Sequence, residues 1–304
     1  MLSNSSSPKP TFMIVGAPKC GTTALYEYLQ THPQIFITNP KEPHFYSEDL
    51  GAHRTIFSRA EYDALFSHVT ANHLAIGEAS AWYMHSSVAL PKIKTELPNI
   101  KLVVMLRNPV ELVRSLHSDM VWICFENEPD FEQAWFMQGE RRSGLRVPKL
   151  CQVPWFLQYR EVGRLASHVR RVLDLFPREQ VRFYLVDDLK VSARQVYQDA
   201  LSFLNVPDDG RNDFPRVNAS KRNRLQILAQ LQFAVVRSLP RSCISAGKLV
   251  GLGKLNRTIT ELNCFEHRQR PANDQFRSEL VREFYQDVCE LEDLIHRNLD
   301  DWKH

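Results

Sequence analysis

Apolar residues in this chain occur in two kinds of run. Phe12–Val15 (FMIV), Lys101–Leu106 (KLVVML) and Val181–Leu185 (VRFYL) are short and carry few polar interruptions. That is the pattern of strands buried on both faces of a parallel sheet. Ala75–Glu78 reads as a short strand end. The second kind of run has helical spacing. It predicts helices over Thr22–Thr31, Trp155–Phe176 (one long amphipathic helix), Ala193–Leu204 and Gln226–Leu239. Near the end, Phe276, Leu280, Phe284, Val288, Leu291 and Ile295 recur every three or four residues and form one apolar stripe. Asn108 is placed to cap a helix whose first turn holds Pro109. Strands alternating with helices predict an α/β fold around a parallel sheet. No repeat or long linker breaks the pattern. Residues 11–304 therefore read as one domain behind a tail, residues 1–10, that is expected to be disordered.

Composition adds little to that outline. The 304 residues are 43% hydrophobic and 24% charged, with a net charge of +3. This is an ordinary globular composition, and it gives no nucleic-acid signal. The charge is uneven, however. Between Arg211 and Arg257 there are ten Lys/Arg and one acid, Asp213, so the segment suits an anionic ligand, a membrane surface or an acidic partner, or is simply a solvated helix face. The six cysteines are scattered with no C-x-x-C pair, which reads as reduced thiols and not as a zinc site. The polar start MLSNSSSPKP lacks the apolar stretch of a signal peptide, and no run is long enough to span a membrane. The expectation is a cytoplasmic protein.

The candidate chemistry begins at Thr11–Thr23, TFMIVGAPKCGTT. A buried strand runs into a tight glycine-containing turn and then into a helix. Backbone N–H groups, the helix N-terminus and Lys19 together form a cradle for an anion. In the nucleotide-triphosphatase loop G-x-x-x-x-G-K-[ST] the lysine follows the second glycine. Here Thr22 stands at that place and the lysine lies inside the loop. A phosphate still fits, but the parts used with magnesium and a γ-phosphate are missing. Ligands of open parallel sheets bind beyond the carboxyl ends of the strands. Arg107 falls at such an end, with Ser115 two turns into the next helix, and the pair suits a second phosphate. Glu78 ends another strand. Between strands, Lys41-Glu42-Pro43-His44-Phe45-Tyr46 offers a carboxylate and an imidazole two residues apart, and a carboxylate near a bound anion can act as general base. Each of these also has a structural reading: an ion pair for Arg107, a helix surface for Ser115, a loop charge pair for Lys41 and Glu42, a hydrogen-bonding core residue for His44.

The segments GAPKCGTTALYEYLQTHP, KEPHFY, GEASAWY and VVMLRNPVELVRSLH, in this order and spacing, resemble the sulfotransferases that use 3′-phosphoadenosine 5′-phosphosulfate (PAPS), in their heparan-sulfate-type and bacterial branch. VPWFLQY, LFPREQVRFYLVDDL, FLNVP, VNAS and the last helix agree, so the resemblance runs from about Thr11 to Trp302. It implies a P-loop NTPase-like three-layer α/β fold. It also implies metal-free in-line transfer of sulfonate from PAPS, leaving 3′-phosphoadenosine 5′-phosphate (PAP). The acceptor is expected to be a hydroxyl or amine of a small metabolite, secondary metabolite or saccharide, and a homodimer is allowed. By the same resemblance Lys19, Cys20, Gly21, Thr22 and Thr23 cradle the 5′-phosphosulfate, with Lys19 at the leaving oxygen. Arg107 and Ser115 hold the 3′-phosphate. Glu42 is the general base, with His44 beside it. Arg268 and Arg270 fall in a loop that closes over the cofactor.

Departures concern the acceptor. Heparan-modifying relatives carry an arginine at Thr23, an acid at Ser47 and a lysine at Ala79. Without those charges, Glu78, Trp82 and Tyr83 become candidates to face a smaller or less charged acceptor, although Trp82 and Tyr83 suit core aromatics equally well, while the basic segment 211–257 suits an acceptor lid and an anionic acceptor. Two rivals stand beside this reading. A P-loop nucleotide kinase needs a lysine at Thr22 and a magnesium-binding acid. A non-catalytic nucleotide-binding module would bind PAP and transfer nothing.

Overall fold

The structure is a computed structural model and describes residues 8–215, 217, 221–238, 258–266 and 273–304. Arg268, Arg270 and most of the expected tail lie outside the described residues. The chain forms two compact units built from interleaved segments. The first comprises Met1–Leu112, Arg164–Asn218 and Leu280–His304, and the second Val113–Gly163 and Ala219–Glu279.

The first unit holds the sheet. In chain order it contains β1 (Phe12–Gly16), α1 (Thr22–Gln30), β2 (Ile35–Ile37), α2 (Arg59–Ala64), β3 (Ala75–Ala79), α3 (Ala89–Glu96) and β4 (Lys101–Leu106). The helix α4 (Pro109–Trp122) then leads into the second unit, which contains α5 (Phe131–Phe136), α6 (Gln138–Arg142) and α7 (Tyr159–Gly163). The first unit resumes with α8 (Leu165–Leu175), β5 (Val181–Leu185) and α9 (Val186–Leu204). Among the described residues, the helices α10 (Gln226–Ser238) and α11 (Asp274–Ile295) follow, the latter passing from the second unit into the first.

The five strands of the first unit lie parallel in the order β2-β3-β1-β4-β5; in the second unit Lys221–Asn223 and Cys264–Glu266 form a separate antiparallel pair. β1 is central and every residue of it is buried, as its unbroken apolar run predicts. Right-handed crossovers fix the faces. The connection from β1 to β2 runs one way along the sheet, and those from β3 to β4 and from β4 to β5 run the other. This puts α1, which packs on α9, on one face and α3, which packs on α8, on the opposite face. The result is the expected three-layer parallel α/β architecture. Gly77 pairs with Phe12 across β3 and β1, and a Cβ there would lie 2.1 Å from the Phe12 ring. Only a glycine lets the two strands approach with that ring between them.

Most of the expected elements are present, and the stripe Phe276–Ile295 is buried along α11. The single helix expected over Trp155–Phe176 is instead three pieces: a 3₁₀ turn over Pro154–Leu157, then α7, then α8. Backbone ψ leaves the helical range at Gln158 (68°) and Arg164 (74°). Tertiary hydrogen bonds hold each new start. Gln138 accepts the Arg160 N–H at 2.8 Å, and the Asp287 carboxylate accepts the Ala166 N–H at 3.2 Å. β2 was not expected, because its three residues are too short a run to read as a strand.

In the second unit Arg141 and Glu126 form a fully buried bidentate pair at 2.5 and 2.6 Å, and the Tyr159 hydroxyl donates to the same carboxylate at 2.7 Å. Among the described residues, no helix is long and apolar enough to cross a membrane.

β1 ends where another turn closes in. The Met84 N–H donates to the Val15 carbonyl at 2.9 Å, and a Cβ on Gly16 would sit 2.3 Å from Met84 Sδ and 3.1 Å from the Ala81 carbonyl. Gly16→Ala should therefore cost about 1–3 kcal/mol in urea denaturation, as overpacking does. In a Met84→Ala background, which carries its own cavity cost, the same glycine substitution should cost less, and an equal cost in both backgrounds would show that Met84 is not what excludes the side chain.

Candidate active site

The loop after β1 is built around backbone groups. The Ala17 N–H reaches across to the Met105 carbonyl of β4 at 2.7 Å, and the Cys20 N–H turns back to the Ala17 carbonyl at 3.3 Å. Lys19 then takes a left-handed conformation (φ 61°) and Gly21 another (φ 82°), the latter at the N-cap of α1. No side chain caps α1 and no acid lies in its first turn, so the positive end of the helix faces the loop without a built-in counter-charge. Thr22 is buried, and Lys19 and Thr23 are half-buried. Burial pushes the Cys20 thiol up to about 12, against the pull of Arg107 and Lys19. Cys20 is thus an apolar floor for the loop and not a nucleophile.

Arg107 directly follows β4. Its guanidinium donates to the Lys19 carbonyl at 3.3 Å and pairs with Glu111 at 3.4 Å, leaving its side chain 25% exposed. It therefore both braces the loop and presents a cation at the same strand end. Asn108 caps α4 as expected, accepting the Val110 N–H at 2.9 Å. Ser115 is buried on α4 and belongs to the second unit.

Glu42 and His44 are brought to the same edge of the sheet by the backbone. The Glu42 N–H donates to the Ala79 carbonyl at the end of β3 (2.8 Å), and the Ser80 N–H donates to Ile14 of β1 (3.0 Å). Lys41 Nζ lies 2.5 Å from one carboxylate oxygen of Glu42, and His44 Nε2 lies 3.3 Å from the other. Burial alone would raise the Glu42 carboxyl. The Lys41 ammonium and the His44 ring outweigh it and hold the group well below the usual carboxylate range. Glu42 (φ 63°) and His44 (φ 52°) are both left-handed, a conformation that costs a non-glycine residue on the order of 1–3 kcal/mol. Hydrogen bonds hold it: Thr55 Oγ1 donates to the Glu42 carbonyl at 2.6 Å, and the His44 N–H donates to Ser80 Oγ at 3.0 Å.

Behind His44 lies a closed polar network. Ser80 Oγ donates to Glu78 at 2.6 Å, and the hydroxyls of Tyr62 and Tyr83 donate to the other Glu78 oxygen at 2.8 and 3.1 Å. Glu78 is completely buried, and burial raises its carboxyl while the three hydroxyls partly offset it. The expected acceptor-facing group Glu78 is therefore enclosed, with both oxygens occupied. Tyr83 is 0% and Trp82 4% exposed, so neither forms an exposed wall; they pack as core aromatics. The Lys41–Glu42 pair is the loop charge pair that the sequence offers. Ser80 and Tyr62 are the partners that the sequence does not announce, although Ser80 lies within GEASAWY. Tyr62 carried no signal, because only folding brings α2 against Glu78. Among the described residues, no group of three or more His, Cys, Asp or Glu side chains is arranged to hold a metal ion.

The N-terminus of α1 suits an anion, and the Glu42 carboxylate is held at the end of β3 in the same sheet. The family model for the sulfotransferase domain matches residues 9–246. Human carbohydrate sulfotransferase 15 is 26% identical over 255 residues, covering 65% of this chain and 44% of that protein. Human bifunctional heparan sulfate N-deacetylase/N-sulfotransferase 3 is 27% identical over 301 residues, covering 95% of this chain and 30% of that protein. The chain thus spans less than half the length of these curated relatives. A solved sulfotransferase from Alicyclobacillus acidocaldarius superposes with a TM-score of 0.72 at 28% identity, covering 98% of this chain and all of that one. That likeness identifies the parallel sheet as the P-loop NTPase-like fold, and the family match extends over most of the chain: it belongs to the sulfotransferase family.

Proposed function

We propose that the chain transfers a sulfonate group from PAPS to a hydroxyl or amine of a small metabolite or saccharide, as one sulfotransferase domain over residues 11–304 acting in the cytoplasm. The observation that carries this reading is that the α1 N-terminus without a side-chain cap, the Lys19 loop braced by Arg107, and the Glu42 carboxylate, whose charged form Lys41 and His44 favour, are all tied by hydrogen bonds to one edge of the sheet. The loop residues suit an anionic cofactor: the N-terminus of α1 has no side-chain cap, and Lys19 lies in the loop that Arg107 braces. When bound there, PAPS supplies the sulfonate and leaves as PAP.

The roles of the chain's own residues follow. Lys19 neutralises negative charge that develops at the loop. Arg107 would hold the second phosphate, and the sequence motif gives Ser115 the same role. Glu42 takes the acceptor's proton as the acceptor attacks, and His44 orients Glu42. This is catalysis by positioning and electrostatics. The named relatives include a carbohydrate and a heparan sulfate enzyme, which supports a saccharide acceptor. Ser47 and Ala79 are fully buried here. The positions at which heparan-modifying relatives carry charge thus present none to an acceptor, which favours one with less negative charge.

A carboxylate held by Lys41 is a weak base. The acceptor must draw Lys41 away, or Glu42 works at low basicity. Two measurements follow. With radiolabelled PAPS and a host-cell extract, Glu42→Gln should lose about 10²–10⁴ in transfer rate while still binding PAP; equal labelling by both proteins would remove Glu42 from the mechanism. In the pH profile, Glu42 stays ionised as pH falls because its pKa is depressed, so the acid limb should lie below the ordinary carboxylate range. Lys41→Met removes the cation that depresses it and should move that limb upward by about one unit or more. An unmoved limb would show that it reports another group.

A further inference from the structure

The second unit contains a helix that is apolar on the wrong side. On α10, Ala229 is buried, and Gln226 faces inward, donating to the Val121 carbonyl at 2.8 Å. Ile227 and Leu231, one turn apart, are 73% and 59% exposed. Leu225, just before the helix, is 63% exposed, and Leu262 on the neighbouring segment is 73% exposed. The two segments are locked together. Asn263 is itself buried. It donates to the Leu225 carbonyl at 3.0 Å, accepts the Leu225 N–H at 2.8 Å, and its own carbonyl accepts the Arg224 N–H at 2.7 Å. Polar side chains thus fasten this element to its own unit, while large aliphatic side chains point outward. A surface helix of a globular protein normally does the reverse.

Charge says what would cover that face. In the sequence, residues 219–257, which contain α10, carry eight Lys/Arg and no acid. An aliphatic stripe in so basic a stretch of sequence matches the acyl–headgroup boundary of an anionic bilayer, where apolar side chains enter the acyl region and basic ones meet phosphate and carboxylate headgroups. A second protein copy matches less well, because two such faces would bring like charges together.

We propose that Leu225, Ile227, Leu231 and Leu262 form a peripheral docking surface for an anionic membrane, with the basic residues of that stretch of sequence supplying the electrostatic attraction. Such a surface would hold the enzyme on a membrane without a spanning helix. It is independent of the transfer chemistry.

The test uses the full chain and sedimentation with vesicles of phosphatidylcholine alone or of phosphatidylcholine mixed with phosphatidylserine. Binding should require phosphatidylserine. It should fall steeply as salt is raised from about 0.1 to 0.5 M, and drop about tenfold or more in Ile227→Gln/Leu231→Gln. Since both side chains are exposed, that variant should keep the wild-type circular dichroism spectrum and PAP affinity. In Ile227→Trp, the new indole should shift its emission to the blue when phosphatidylserine vesicles are added. The proposal is overturned if the wild-type chain ignores phosphatidylserine vesicles or if the double variant binds them equally. It is also overturned if light scattering shows a dimer that the double variant abolishes, which would make a second copy the occupant.

Discussion

The candidate site rests on the levelling of three strand ends. β1, β3 and β4 are paired so that Ile14 lies beside Ala79 on one side and Val103 on the other. The chain is then sewn across the same edge. Ala17 bonds to Met105, Ser80 to Ile14, Met84 to Val15 and Glu42 to Ala79. All four are backbone bonds with no freedom of rotamer. They fix the loop that carries Lys19, the turn that carries Met84 and the segment that carries Glu42 relative to one sheet. Arg107 adds a side-chain brace from β4 to the Lys19 carbonyl. A parallel sheet suits this task because all its carboxyl ends point the same way, so three loops meet without any of them being long.

The same edge concentrates strain. Lys19, Glu42 and His44 are all non-glycine residues in the left-handed region. Each such residue persists only where its surroundings over-determine it. The surroundings here are the Thr55 and Ser80 hydroxyls, the β3 backbone and, behind them, the Glu78 carboxylate with its three hydroxyl donors. Glu78 thus acts at a distance. It orients Ser80, Ser80 holds the His44 backbone, and His44 reaches the Glu42 carboxylate. A buried, fully hydrogen-bonded carboxylate is a rigid anchor, since breaking any of its bonds leaves a polar group unsatisfied away from water.

Much of this was legible in the amino-acid sequence, for stated reasons. The unbroken runs FMIV and KLVVML announce strands buried on both faces, and the structure places them at the centre of the sheet. The displaced Lys19 and the cap Asn108 were readable because loop and cap chemistry is local. What failed was non-local. Trp155–Phe176 carries a continuous helical pattern, yet Gln138 and Asp287 supply partners that break it into three. Glu78, Trp82 and Tyr83 follow a strand end, a place that suits a group facing an acceptor as well as a core one, and local pattern does not decide between them. Their burial depends on Tyr62 and on packing that no local pattern encodes. The left-handed backbone of Glu42 was equally invisible, because nothing in KEPHFY is a glycine.

The central proposal is that PAP binds without the magnesium-dependent arrangement of a triphosphatase, one phosphate at the loop after β1 with its backbone donors and Lys19, the second at Arg107. Calorimetric titration with PAP in the presence of EDTA tests it most directly. The account predicts single-site binding without metal, weakened about tenfold or more by Lys19→Ala and by Arg107→Ala, and unaffected by competing ATP with magnesium. PAP binding that requires magnesium, yields to ATP or ignores both substitutions would contradict it.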